Sequence, residues 1–199
     1  ACSRLIKCNA TDALRAEWLP SIAAGERIVT VATHGPSGSV VAGELDAVLT
    51  GGSGGLRLNG STRFVPDAHI ADGIVVAARD ANNAITYVMV DPHAAGVSIQ
   101  VEPTVDQTRR LARVSFADVA IADGALLVEP GAGAALHRRV VAVGAVAVCA
   151  DAVGAAEQMM TTASRYAVER FQFGRPIGSF QAIKHHCANI LINVEASRA

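Results

Sequence analysis

From Arg27 to about Val128 the chain offers short β-rich runs, and no helix-length segment falls between them. Ile28-Val-Thr-Val-Ala32, Gly73-Ile-Val-Val-Ala77, Ile85-Thr-Tyr-Val-Met-Val90 and Leu111-Ala-Arg-Val-Ser-Phe116 are separated by turn residues at close intervals. Parallel strands need long, usually helical crossovers. The pattern therefore predicts an antiparallel barrel or sandwich of about 100 residues, not a βαβ sheet.

Helical patterns flank this block. Before it, Leu5, Ile6, Leu14, Trp18 and Leu19 alternate with charged residues, and Pro20 is expected to stop that helix. After the small-residue linker Glu129-Pro-Gly-Ala-Gly133, one helix is expected from about Ala134 to Phe171. Its Ala and Gly content suits a crowded bundle or a subunit interface. A second helix begins near Ser179, with Phe180, Ile183, Cys187, Ile190 and Val194 at three- and four-residue spacing. The expected class is α+β: the end of one helical domain (1–22), a β domain (23–130) and two further helices (131–199).

Composition narrows function by exclusion. The 199 residues are 51% hydrophobic, only 4% are aromatic and the net charge is -1, which leaves no electrostatic excess for nucleic acid or an acidic membrane. The apolar run Val140–Ala150 falls short of the roughly 20 residues a membrane span needs, so it predicts a buried helix. No signal peptide is recognised. Cys2, Cys8, Cys149 and Cys187 share no CxxC spacing, which argues against a disulfide framework or zinc site and for a reducing, cytoplasmic setting.

Several motifs have ordinary readings. Gly51-Gly-Ser-Gly-Gly55 has the GxSxG spacing of a hydrolase elbow, but strand-like Leu56-Arg-Leu-Asn59 follows where a helix is required, so a hairpin turn is expected. Gly131-Ala-Gly-Ala-Ala-Leu136 lacks the final Gly of a dinucleotide fingerprint and reads as a linker. Adjacent His185 and His186 point about 100° apart on a helix. His34, His69, His93 and His137 have no Cys or carboxylate at ligand spacing, so no metal site is expected.

The strongest local signal is Arg165-Tyr-Ala-Val-Glu-Arg-Phe-Gln-Phe-Gly-Arg-Pro-Ile-Gly-Ser-Phe-Gln-Ala-Ile-Lys184. A long helix ends at Gly174, Pro176 stiffens a loop, and Ser179 is placed to N-cap the next helix. Arg170 and Gln181 then stand near a helix N-terminus, an arrangement suited either to phosphate or to an ordinary surface hairpin.

This segment resembles the acyl-CoA dehydrogenases, flavoenzymes that oxidise acyl-CoA thioesters. Trp18-Leu-Pro, Gly25-Glu26, Ala32-Thr-His-Gly-Pro-Ser-Gly-Ser39, Leu58-Asn-Gly60, Arg63-Phe-Val65 and Ala71-Asp72 agree in order. The resemblance implies the central part of a subunit about twice this length, an FAD cofactor and acyl-CoA as substrate. It also implies assembly as a homo- or hetero-oligomer, a dimer of dimers, with electron-transfer flavoprotein as acceptor. It places Val31, Ala32, Thr33, Ser39, Phe64, Val65 and Pro66 along the flavin ring. Arg170, Gln172, Phe173 and Gln181 would reach the pyrophosphate and adenosine of a neighbour's FAD. Ser39 and Arg138 would meet CoA.

Departures from the family pattern are specific. His34-Gly35 replaces Glu-Pro, Val40 replaces an Asp, Phe64-Val65-Pro66 replaces Trp-Ile-Thr or Trp-Ile-Ser, and Ala135 replaces an Asp. Pro66 has neither hydroxyl nor N–H to offer the flavin. The resemblance places the catalytic Glu beyond position 199, with His137 at a minority base position as a weak substitute. Two rival readings use the same fold: a non-catalytic subunit that completes a partner's FAD site, and a flavin monooxygenase.

Overall fold

The computed structural model describes residues 2–52, 55–128 and 131–199, with the side chains of Cys2, Arg4 and Cys8 outside the description. Two compact units divide the chain at residues 142 and 143.

The first unit opens with α1 (Cys2–Asn9) and α2 (Asp12–Ala24). Thr11 caps α2 by accepting the Leu14 N–H at 3.3 Å, and Asp12 places negative charge in the first turn. Pro20 does not stop this helix, contrary to expectation, but lies inside it. A proline removes one backbone donor. The turns on either side hold here, and the stop comes at Gly25, which takes the left-handed conformation (φ 76°) while the Glu26 N–H reaches the Ser21 carbonyl at 2.9 Å.

Seven strands follow: β1 (Val29–Ala32), β2 (Val48–Gly52), β3 (Gly55–Pro66), β4 (Gly73–Arg79), β5 (Ile85–Val90), β6 (Val97–Glu102) and β7 (Leu111–Ile121). Their order is β1-β4-β2-β3-β7-β6, with β5 on the other edge of β4. Most pairs are antiparallel, as expected, but β1 runs parallel to β4, pairing Val29 with Gly73 through Ala32 with Val76. The excursion through β2 and β3 returns the chain in its original direction, so strands serve as the crossover that a helix usually supplies. β2 and β3 form the hairpin expected at Gly51–Gly55, pairing Gly52 with Gly55. Ser53 and Gly54 themselves lie outside the described residues, as do Glu129 and Pro130 of the linker.

β4 and β5 are buried along both faces, with slight relief at Arg79. Alternate residues therefore feed two cores. Ile74, Val76, Ala78, Val88 and Val90 join Leu58, Val65, Val114 and Val119 inside the sheet's curve. Val75, Ala77, Ile85, Tyr87 and Met89 pack with Leu5, Ile6 and Leu14 of the first two helices and with Leu136.

Leu136 belongs to α3 (Gly133–Glu169), whose first turns group with the sheet. In the second unit α3 continues, a two-stranded hairpin of β8 (Phe171–Gln172) and β9 (Arg175–Pro176) follows, and α4 (Gln181–Arg198) ends the chain. Here three expectations need correction. The apolar run of α3 is not buried: Val146 is 70% exposed and Val148 62%. Ala167 and Val194 are the buried hydrophobic residues described in this unit, so its helices carry apolar surface that no described part of the unit covers. By length and composition alone α3 is long and apolar enough to cross a membrane.

The helix also stops at Glu169, and Gly174 turns the hairpin together with Phe173, both at positive φ, instead of capping α3. Ser179 is not the N-cap. It closes a 3-10 turn (Ile177–Ser179), and Phe180 occupies the cap position with no side-chain hydrogen bond.

Candidate functional site

The loop after β1 is built against the end of β3. The Gly35 N–H donates to the Ser39 carbonyl at 2.8 Å and the Gly38 N–H to the Gly35 carbonyl at 3.0 Å, which folds residues 35–39 into a tight turn. Two donors from β3 hold the front of that loop: Thr62 Oγ1 and the Arg63 N–H both reach the His34 carbonyl, at 2.8 and 3.3 Å. Below it, Thr30 Oγ1 donates to the Pro66 carbonyl at 2.6 Å. Pro66 thus contributes an acceptor to the scaffold while lacking a donor for a ligand.

Phe64 sits at the centre of this junction with φ 53°, beside a register shift in the β3–β7 pairing between Thr62 and Val65. A bulky residue at positive φ is a genuine outlier, and bulges commonly re-aim a side chain. Its ring is met edge-on by His34 at 6.2 Å between centroids, and the Arg63 guanidinium lies 4.7 Å from its centre. A Cβ on Gly38 would stand 2.8 Å from Phe64 Cε2, so this turn accepts the ring because residue 38 has no side chain. Arg63 is fixed in turn by Glu102 at 2.9 Å and by the Pro36 carbonyl at 3.3 Å, and Arg113 approaches the same carboxylate at 3.5 Å. Burial first holds the His34 imidazole below its usual pKa, and repulsion from any proton added to nearby His137 acts in the same direction.

The other end of the loop meets the start of α3. His137 is buried, with Nε2 2.7 Å from the Val40 carbonyl and Nδ1 2.8 Å from the Tyr87 hydroxyl. A carbonyl accepts only, so Nε2 carries the hydrogen and Nδ1 of the neutral ring accepts from Tyr87. Burial pushes the Tyr87 hydroxyl upward in pKa, which keeps it a donor. With both nitrogens engaged, His137 has no lone pair free for a substrate proton. Beside it lies a mainly apolar cleft of about 400 Å³ lined by Val40, Val41, Ala42, Ile85, Arg138 and neighbours on α3. Arg138 is exposed at its edge.

A single loop thus runs from buried Thr33 past Phe64 and Ser39 to the cleft edged by Arg138. The Ser39 hydroxyl accepts from the Val41 N–H at 3.1 Å and retains its own proton for another acceptor. Ala32 and Val65 are placed differently: both side chains lie in the core, leaving backbone atoms as their means of contact. In the second unit Arg170, Gln172, Phe173 and Gln181 are all exposed around the hairpin and the start of α4. The Ile177 N–H donates to the Arg170 carbonyl at 2.8 Å, and Arg175 stacks 4.2 Å from the Phe180 ring centre, which braces the turn. Sequence reasoning missed Tyr87 and Glu102, since each acts through a partner distant in the chain, and it missed the stacking of Arg175 on Phe180, which only the hairpin's fold brings about. A buried Tyr in a strand apolar on both faces was the one available signal.

Comparisons with known proteins bear on the family and the fold. Residues 131–199 match the family described as acyl-CoA dehydrogenase, C-terminal domain. Acyl-CoA dehydrogenase IpdE2 of Mycobacterium tuberculosis is 34% identical over 68% of this chain and 36% of its own length. The 3-(aryl)acrylate reductase of Clostridium sporogenes is 28% identical over 94% of this chain and 52% of its own. Among solved structures, butyryl-CoA dehydrogenase from Megasphaera elsdenii superposes with a TM-score of 0.90 at 26% identity, over 99% of this chain and 53% of that one. The chain therefore spans about half the length, or less, of the relatives it matches. Shared sequence across both units, and a shared fold over nearly all of it, place the chain in the acyl-CoA dehydrogenase family.

Proposed function

We propose that this chain is the flavin- and acyl-CoA-binding portion of an FAD-dependent acyl-CoA dehydrogenase subunit. The observation that carries the reading is the convergence of Thr33, Ser39 and Phe64 on one loop–strand junction, with the Val40–Arg138 cleft at its other end. The residues fit the cofactor in kind. Phe64 offers an aromatic face held in place, Thr33 and Ser39 offer hydroxyls, and Gly38 leaves room where a side chain would clash. Arg170, Gln172, Phe173 and Gln181 are exposed and suited to a pyrophosphate and adenosine, in this reading those of a neighbouring subunit's FAD.

Bound FAD supplies the hydride acceptor for α,β-dehydrogenation of the thioester. The chain's own residues bind and orient. The apolar cleft takes part of the acyl-CoA, Arg138 faces its anionic portion, and Ser39 donates a hydrogen bond at the flavin–substrate boundary. Removing the α proton requires a base. That base is assigned to a Glu in the part of the subunit this chain does not span, because His137 is fully hydrogen-bonded.

In this reading the exposed apolar surface of α3 and α4 is buried against further helices and sister subunits, in a dimer of dimers, and not in a membrane. Exposed, unpaired Cys149 supports a reducing, cytoplasmic setting. Electron-transfer flavoprotein is the proposed acceptor. The named dehydrogenase and reductase relatives favour a dehydrogenase over a non-catalytic subunit or a monooxygenase. The test is the purified full-length subunit: about one FAD per subunit is expected, bleached anaerobically by an acyl-CoA. A protein that stays colourless after incubation with FAD overturns the reading.

A further inference from the structure

The loop that bears Thr33 and Ser39 is anchored from two sides. Its front half hangs on β3 through the His34 carbonyl. Its rear half meets a rigid chain of groups that begins in the core. Tyr87 is 0% exposed on β5, its hydroxyl meets His137 Nδ1, and His137 Nε2 meets the Val40 carbonyl. The helix carrying His137 is itself locked to β5, since a Cβ on Gly133 would lie 2.4 Å from the Ile85 carbonyl oxygen, and Leu136 is buried in the same cluster.

We infer that His137 is a positioning residue: it fixes the Val40 carbonyl, and so the Ser39 turn, at the mouth of the acyl-CoA cleft, while the Tyr87 hydroxyl holds the other ring nitrogen and so the ring's orientation. Val40 follows Ser39 directly and also lines the cleft, so one hydrogen bond orients the hydroxyl and shapes the wall. The Val40 carbonyl accepts only, so it selects the nitrogen that carries the hydrogen, and the Tyr87 hydroxyl holds the opposite nitrogen and keeps the ring from turning away. The catalytic consequence rests on the proposed acyl-CoA reading. The geometric claim does not.

The test uses the full-length protein with His137→Phe, which keeps a ring and removes both nitrogens, His137→Gln, which restores a donor toward Val40, and Tyr87→Phe. Amide hydrogen exchange is read at Gly35 and Val41, whose N–H groups bond within the turn, and at Val75 and Val88 in the sheet. In His137→Phe the turn amides are expected to exchange about tenfold faster, the scale of one lost buried hydrogen bond, with the sheet amides unchanged. His137→Gln should return near wild type. In parallel, KM for acyl-CoA is expected to rise about tenfold with kcat within about twofold.

Equal acceleration of turn and sheet amides would make His137 a core filler and overturn the inference, as would no acceleration at all. If His137→Phe does not fold, Tyr87→Phe decides: it must loosen Gly35 and Val41 selectively, and a uniform or absent response rejects the positioning role. Wild-type protein that takes up neither FAD nor acyl-CoA would sink the functional reading alone, because the exchange data still answer the question about His137.

Discussion

The two compact units are built from similarly apolar sequence and treat it differently. In the first, Ile74, Val76, Tyr87 and Val88 are fully buried, while in the second Val146, Met159, Val168 and Ile192 are each more than 60% exposed. Hydrophobicity decides that a side chain gains from burial, but a second layer must exist to bury it. A curved sheet with helices on one side supplies its own layers. Two helices and a small hairpin do not, so the second unit displays the surface a larger assembly would cover.

The largest expected effect separates the units directly. Leu58→Ala should lower the unfolding free energy by about 2–5 kcal/mol, whereas Val146→Ala should change it by under about 0.5 kcal/mol in this 199-residue chain. Denaturant melts of both variants decide, and equal losses would erase the contrast. The same swap at two glycines should then give opposite signs. Gly133→Ala drives a Cβ into the Ile85 carbonyl and should cost about 1–3 kcal/mol, while Gly144→Ala meets nothing within 4 Å and should stabilise its helix by about 0.5–1 kcal/mol.

The smallest effect is on pH. The folded first unit holds the His34 proton less readily than the unfolded chain does, so its stability is complete above the ordinary value of 6.5 and declines as pH falls below it. Trp18, the chain's single tryptophan, packs against Gly73 and reports melting of that unit by fluorescence. His34→Asn should flatten this dependence, and an unchanged slope would assign it elsewhere.

Much of the fold was legible because its signals are local. Short β-rich runs placed β1, β4, β5 and β7, and the Gly-rich dipeptides marked the β2–β3 hairpin. What stayed hidden depends on partners far along the chain. Whether β1 pairs parallel with β4 is settled by the path between them, not by either strand. Pro20 signals a stop, yet a helix tolerates one missing donor when flanking turns and a glycine cap hold. The burial forecast for Val140–Ala150 failed because burial is a property of the assembly, and sequence reports only the side chain's half of it. The candidate site shows the same split. Family motifs led to Thr33, Ser39, Phe64 and Arg138, whereas the Tyr87–His137–Val40 link joins residues with no pattern in common.

That link bears on how β5 finds its place. A strand apolar on both faces is poorly protected against slipping by one position, since either face suits either core. Tyr87 removes the ambiguity. In the native alignment its hydroxyl finds His137 among the side chains beneath the helices. One step out of phase, the phenol would point among Leu58, Val76 and Val114, an aliphatic interior where an unpaired hydroxyl costs about 1–3 kcal/mol. With the Thr86 hydroxyl on the opposite face, which donates to the Val128 carbonyl at 3.4 Å, it acts as the key that lets a symmetric-looking strand fit in one orientation.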